Sequence, residues 1–591
     1  MKETSTITAD TNQADASPGV SRRNFFGSLG KTAIGAAAVG ALGAAPFLGG
    51  KESVAEAAPG NSDSARRMND CMQYRKNMAQ DNHVDVGFQP DNGDAARFTD
   101  CSGNYSKALL HESLGIPSAA ACASLKRALA SGSQADFANI LVGTPGGGGN
   151  SKLNGPQVAL AFDLEGMDSH STVIPPAPSV ASAQTAAEAV EHYWGALLVD
   201  VPFRDYGTNA LAQAAIADLN NMSYVKSPGS QFNYPVNAQN LFRGKFRSND
   251  GNVKGPYLSQ FMVQPTYFGA QPLSQRYITF KPEGFGGRHY MFDVSEYQMV
   301  ANGGDSHLVI EFEDDPKYLR SGRDMASYTR LDVLYQGYFT AFLVLSGLGA
   351  QANPGIPYNS STTEKPFSTL GGPDAAGTIA EMATRALKAS WFHKWIKDNR
   401  LRPEEFGALV HARKTNASRM PQAAAALHSD VLNSVGLAQS YSKYKSYLLP
   451  QAFPEGSPTH PCYPTGHGTV GGACVTALKF FFNGSQKMNT LAGGDFRFME
   501  ANSTGTHLDE YTGGDTSNID INDELNKLAW NVTTGHGVHS GIHFRSSSYW
   551  SILLGEQVAL SVLQDRVKSY NEPFTIRIKK FDGTIATISN Q

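Results

Sequence analysis

The chain has 591 residues, 41% hydrophobic and 17% charged, with 49 basic against 53 acidic side chains for a net charge of −4. That balance excludes a disordered acidic tail and gives no global basic field for nucleic acid. Five cysteines are too few to staple a chain of this length, so its core must be hydrophobic.

Residues 1–20 are polar and carry no apolar period. Ser21-Arg22-Arg23-Asn24-Phe25-Phe26 follows, a paired arginine before two aromatics, which is the pattern of a twin-arginine export signal. From Thr32 to Gly50 there is no charge, but the run is mostly alanine and glycine and too weakly hydrophobic for a membrane span. Ala55-Glu56-Ala57 fits a small-residue cleavage site. Residues 1–57 therefore read as a removable signal, with the mature chain exported to the periplasm or beyond and free of an integral membrane segment. Cys71, Cys101 and Cys122 are close enough in sequence for a bridge, whereas Cys474 sits in an apolar helical run as a buried thiol.

Residues 58–95 are polar and rich in breakers, an irregular N-terminal wrap. Residues 96–591 read as one helical domain. Gly146-Gly147-Gly148-Gly149-Asn150-Ser151-Lys152 lacks the ending of a phosphate loop and reads as a flexible connection. Helices are predicted over Ser182–Val199, Asp324–Leu348, Ala380–Arg400, Pro403–Arg413, His467–Phe482, Asp523–Thr534 and Ser547–Leu563, from apolar stripes at helical spacing. Only Phe574–Ser589 alternates with period two, around Asp582-Gly583, as a hairpin does. The fold class is mainly α, a helical bundle with a short C-terminal β-hairpin.

Three segments concentrate chemistry. The first runs from Lys394 to Glu404 and holds Lys394 and Arg402. Lys394 and Arg402 lie eight residues apart, about two helical turns, so both can face one side. A solvated charged face explains this segment equally well on its own. The second is His460-Pro461-Cys462-Tyr463-Pro464-Thr465-Gly466-His467, running into an apolar helix. A helix start offers unpaired N–H groups and a positive dipole end to an oxyanion. Gly466 lets backbone approach the anion, Thr465 can donate its hydroxyl, and His467 is placed for proton transfer. The third is Gly535-His536-Gly537-Val538-His539-Ser540-Gly541-Ile542-His543-Phe544-Arg545. Its spacing fits no zinc template, and each histidine alone reads as a structural residue.

Taken in order, Lys…Arg-Pro, Pro-Thr-Gly-His and Gly-Ile-His resemble the oxyanion pocket of the vanadium-dependent haloperoxidases and the phosphatidic acid phosphatase superfamily. Segments 162–203, 448–482 and 524–560, with the Lys580-Phe581-Asp582-Gly583 ending, resemble the algal-type bromoperoxidase branch from about residue 95 onward. The resemblance implies a haloperoxidase-like helical fold and an orthovanadate cofactor attached through His543. It implies that Lys394, Arg402, Thr465 and Gly466 hold the oxygens and that His467 is the acid–base, with Lys394 and His460 also in the reaction. Asp332 would stand behind them. Hydrogen peroxide and bromide would be the substrates, hypobromous acid the product, and the assembly a homo-oligomer. The family's further arginine is missing: six before His543 is Gly537, and the neighbouring run puts His536 in its place with one extra residue before His543, so that His536 or His539 would supply the charge when protonated. Ser547 stands where many superfamily members have an aspartate. The alternatives are an acid phosphatase with His543 as nucleophile and a vanadium-free member doing acid–base chemistry or anion binding.

Overall fold

The computed structural model describes residues 64–244, 246 and 251–591. The twin-arginine segment, residues 1–57, lies outside the described residues. All the described residues fall in one compact unit.

The core is a set of long helices whose backbones approach closely. Helix Gly466–Phe481 packs along helix Arg545–Val567, and both contact helix Gly372–Phe392. The approach depends on small residues. A β carbon on Gly472 would collide with the carbonyl of Ile552, and one on Gly555 with that of Thr469. Because these backbones touch, the start of the 466–481 helix lies beside the start of the 545–567 helix. The second and third chemical segments are thereby brought together.

Other helices begin where their caps stand. Ser182 Oγ accepts the amide of Thr185 at 3.1 Å and opens helix Ala183–Leu197. Asp520 and Asp523 form a reciprocal capping box before helix Ile521–Thr534. The C-terminal hairpin pairs Thr575–Lys579 with Ile585–Ser589, with Ile576, Ile578 and Ile588 buried on one face. Gly583 takes a positive φ of 84° in its turn, the conformation that glycine adopts without strain.

The structure corrects the sequence reading in three places. The helix expected over 324–348 is two helices, Gly322–Leu331 and Gln336–Gly347. The break falls at Asp332, which leaves helical geometry (φ −63°, ψ 149°) as its carboxylate meets His467. The apolar run continues through the break, so periodicity alone could not show it. Within the stretch read as irregular, Ser64–Asp81 is an exposed helix. The bridge expected among the N-terminal cysteines is absent from the described residues, where all five thiols are free. Cys474 is buried, and burial pushes its thiol pKa upward. No helix among the described residues is long and apolar enough to cross a membrane.

Candidate active site

Two of the three chemical segments sit on π-turns. Helix Gly372–Phe392 widens into a π-turn over His393–Asp398, which carries Lys394. Helix Ile521–Thr534 widens into a second over Gly535–His539, which carries His536. A π-turn takes an extra residue into a helix without ending it and re-aims its side chains, a device common at functional sites. Arg402 is the N-cap of helix Pro403–Thr415, where the Glu405 carboxylate accepts its amide at 2.6 Å. Thr465 is the N-cap of helix Gly466–Phe481.

Lys394, Arg402, His460, Thr465, His467, His536 and His543 are all buried. Lys394 Nζ donates to the carbonyls of Pro461 (2.8 Å) and Cys462 (3.3 Å). Arg402 Nε donates to the His460 carbonyl, and Nη1 to the Ile542 carbonyl, each at 2.8 Å. Its Nη2 lies 3.0 Å from His460 Nδ1. Neither cation forms an ion pair with a carboxylate among the described residues. Burial holds the Lys394 ammonium well below its ordinary pKa, and the Arg402 charge lowers it further. Burial lowers Arg402 as well.

The tautomer of His543 follows from its neighbours. Arg402 Nη1 lies 2.8 Å from His543 Nε2, and a guanidinium only donates, so Nε2 carries the lone pair. Nδ1 therefore bears the hydrogen and donates to the Cys462 carbonyl at 2.6 Å. Burial, with Arg402 and Lys394 alongside, holds His543 far below the usual imidazole pKa. A neutral ring with Nδ1 tied back and Nε2 facing Arg402 is arranged as a ligand.

Around this ring stand the other groups. Thr465 Oγ1 is buried with no hydrogen-bond partner among the described residues. The N–H groups of the first helical turn, at Gly466, His467 and Gly468, have no acceptor within their own helix. A β carbon on Gly466 would press on Trp391 at 3.2 Å and Leu387 at 3.3 Å. His467 Nε2 lies 3.1 Å from both oxygens of Asp332. The His536 ring stacks on His467 at 3.7 Å between centroids and lies 5.4 Å from His543. His460 lies 6.3 Å from His543 and 4.7 Å from the Trp391 ring.

The structure thus gathers Lys394, Arg402, His460, Thr465, Gly466, His467, His536 and His543 in one place. His539 is elsewhere. It packs between Phe203 and Phe242, each 5.5 Å away, where burial lowers its pKa to about 3. Arg545 points away and pairs with Glu191 through Nε at 3.0 Å. Sequence reasoning missed the acids on helix Ala183–Leu197. Glu188 and Glu191, three residues apart in a mainly apolar, buried helix, were the available signal.

Buried cations without carboxylate partners, an orphaned hydroxyl, open amides and a neutral imidazole together make a receptor for a multiply charged oxyanion. Orthovanadate fits this donor set, with one His for the metal and cations and N–H groups for the oxygens. No group of three or more His, Cys, Asp or Glu side chains among the described residues is arranged to hold a metal cation.

No family model matches the chain. The vanadium-dependent bromoperoxidase of Corallina officinalis is 31% identical over 487 residues, spanning 73% of this chain and 78% of that protein. The vanadium-dependent bromoperoxidase of Ascophyllum nodosum is 31% identical over 500 residues, spanning 82% and 86%. Among solved structures, the homohexameric second vanadate-dependent bromoperoxidase of Ascophyllum nodosum matches with a TM-score of 0.81 and 26% identity. It covers 93% of this chain and 94% of its own.

Proposed function

Since the chain belongs to the vanadium-dependent bromoperoxidases, we propose that it binds orthovanadate in this site and oxidises bromide with hydrogen peroxide to hypobromous acid. The observation that carries the reading is buried, carboxylate-free Arg402 against the Nε2 lone pair of His543, with buried Lys394 tied to the Cys462 carbonyl that also takes the His543 Nδ1–H. His543 Nε2 would hold the vanadium. Lys394, Arg402, Thr465 Oγ1 and the Gly466 N–H would hold the oxygens.

When bound, vanadate supplies a Lewis acid that activates peroxide toward halide without changing its own oxidation state. The chain supplies position, charge and protons. Asp332 fixes the Nε2–H of His467, so His467 exchanges a proton at Nδ1. Lys394 and Arg402 withdraw electron density from bound oxygens, and their burial makes that field stronger than it would be in water. His460, against Trp391 and Arg402, forms the wall on the other side.

His536 takes the place of the family's third arginine. What supports this reading is the Gly535–His539 π-turn, which has room for one added residue before His543 and stacks His536 on His467. A histidine offers one donor where arginine offers a fork, so this site should hold vanadate less tightly than a three-cation site.

The test is bromination of a phenol-type dye by the protein with peroxide and bromide, with and without orthovanadate. Vanadate-dependent bromination is expected, and none at saturating vanadate overturns the reading. Residues 1–57 are proposed as a twin-arginine export signal. Replacing Arg22 and Arg23 by lysine should retain the protein inside the cell on fractionation. Assembly as a homo-oligomer is proposed from the homohexameric structural relative, with light scattering as the check.

A further inference from the structure

Between Lys394 and Arg402 lie two more buried cations, Lys397, paired with Asp398, and Arg400. Arg400 faces away from the cation pair and toward the back of the site. Its Nη1 donates to Ser546 Oγ at 2.7 Å and approaches Ser547 Oγ at 3.5 Å. Its Nη2 donates to Thr185 Oγ1 at 3.1 Å and Glu188 Oε2 at 3.2 Å. The guanidinium lies 4.2 Å from the centre of the Phe544 ring, and the Arg400 carbonyl accepts the amide of Cys462 at 2.9 Å. Glu188 completes the brace, accepting the Ser546 amide at 3.0 Å and its hydroxyl at 2.8 Å.

Each segment tied by Arg400 controls a group that faces the anion. Cys462 carries the carbonyl that takes the Nδ1–H of His543, and Phe544 is the residue after His543. The Ser547 carbonyl accepts the amide of Thr465 at 3.2 Å. Cys462 Sγ lies 3.5 Å from both Ser547 Oγ and His543 Nδ1. One planar fork, neutralised by one carboxylate, therefore registers three distant segments of chain against each other.

We propose that Arg400, with Glu188, is a positioning pair that aims His543 Nε2 and Thr465 Oγ1 at the vanadate without touching it. This inference rests on the vanadate reading of the site. Only arginine can supply these bonds from one side chain, because a lysine ammonium has neither the planar fork nor the stacking face. Groups that orient a ligand from behind typically change metal affinity 10- to 100-fold when lost.

The experiment measures orthovanadate binding by equilibrium dialysis, bromination as a function of vanadate concentration, and the thermal midpoint of the vanadate-free protein. Ser546→Ala removes one arm of the brace and leaves the ion pair intact. The double variant Arg400→Gln/Glu188→Gln removes both charges together and so leaves no buried charge alone. Arg400→Lys keeps the charge and loses the fork. A vanadate Kd raised roughly 10- to 100-fold in the double and Lys variants, with a smaller rise in Ser546→Ala, is expected. The vanadate concentration that gives half-maximal bromination should rise in step with the Kd. Folded variants with the wild-type Kd overturn the proposal, even where their thermal midpoint falls, since Arg400 would then serve stability alone. Wild-type protein that binds no orthovanadate overturns the underlying reading of the site and this inference with it.

Discussion

Lys107 and Lys394 are equally buried lysines in opposite electrostatic circumstances. Lys107 Nζ donates to Glu404 Oε1 at 2.7 Å and to the carbonyls of Glu455 and Ser457, each at 2.6 Å. Lys394 has only carbonyls. Most other buried cations side with Lys107, although Arg243 and Lys479 are held by carbonyls, an amide oxygen and ring faces instead. Arg400 pairs with Glu188, Arg545 with Glu191 and Lys527 with Glu524, whereas Arg402 pairs with no carboxylate among the described residues. A buried charge with its own counter-ion is part of the scaffold. Lys394 and Arg402, denied one and gathered beside an imidazole lone pair and an orphaned hydroxyl, are held ready for an anion from outside, and the fold must bear their desolvation until it arrives.

Matched substitutions can break this distinction. Lys107→Met should cost about 3–5 kcal/mol of stability, because it strands Glu404 in the interior. Its effect on vanadate affinity should be smaller than that of the matching change at Lys394. Lys394→Met should leave the vanadate-free protein as stable as wild type or more so, since it removes an uncompensated buried charge. It should also weaken vanadate binding roughly 10- to 150-fold, the worth of a lost charge-assisted bond of about 1.5–3 kcal/mol. Urea midpoints and equilibrium dialysis on both proteins decide the matter. Equal destabilisation by the two changes would erase the division between scaffold and site.

His536→Arg sharpens the comparison from the other direction. It adds a permanent cation on the site side, beside His467. Vanadate should bind about tenfold more tightly, the lower end of a charge-assisted bond. Unchanged or weaker binding would show that His536 does not stand in for the third cation.

The parts of the site that were legible in the sequence are those carried by local pattern. Thr465-Gly466-His467 announces itself because a cap, a glycine and a histidine run straight into an apolar helix. The spacing of Lys394 and Arg402 was visible, but that they lack carboxylate counter-ions was not, since burial and ion pairing belong to tertiary structure. Glu188 and Arg400 are 212 residues apart, and no local period joins them. The π-turns at His393–Asp398 and Gly535–His539 were invisible for a related reason. A 3.6-residue period is too coarse to register one added residue at a helix end, yet that residue decides which way Lys394 and His536 face.

The smallest effect separates two histidines on the same π-turn. His539, three residues from His536, is enclosed by Phe203 and Phe242, and burial lowers its pKa to about 3 from an ordinary 6.5. The folded state keeps this ring neutral while the unfolded chain protonates it as pH falls below 6.5. The unfolded state then binds more protons, so stability is full above pH 6.5 and is lost as pH falls toward 3. Between about pH 7 and pH 5.5 the loss from this one group is about 1 kcal/mol. His539→Leu, which fills a similar volume and cannot ionise, should flatten the fall in urea midpoint by that amount and leave vanadate affinity unchanged. An undiminished acid slope in the variant would refute the assignment. A change in vanadate affinity would place His539 in the site, against its packing among aromatics.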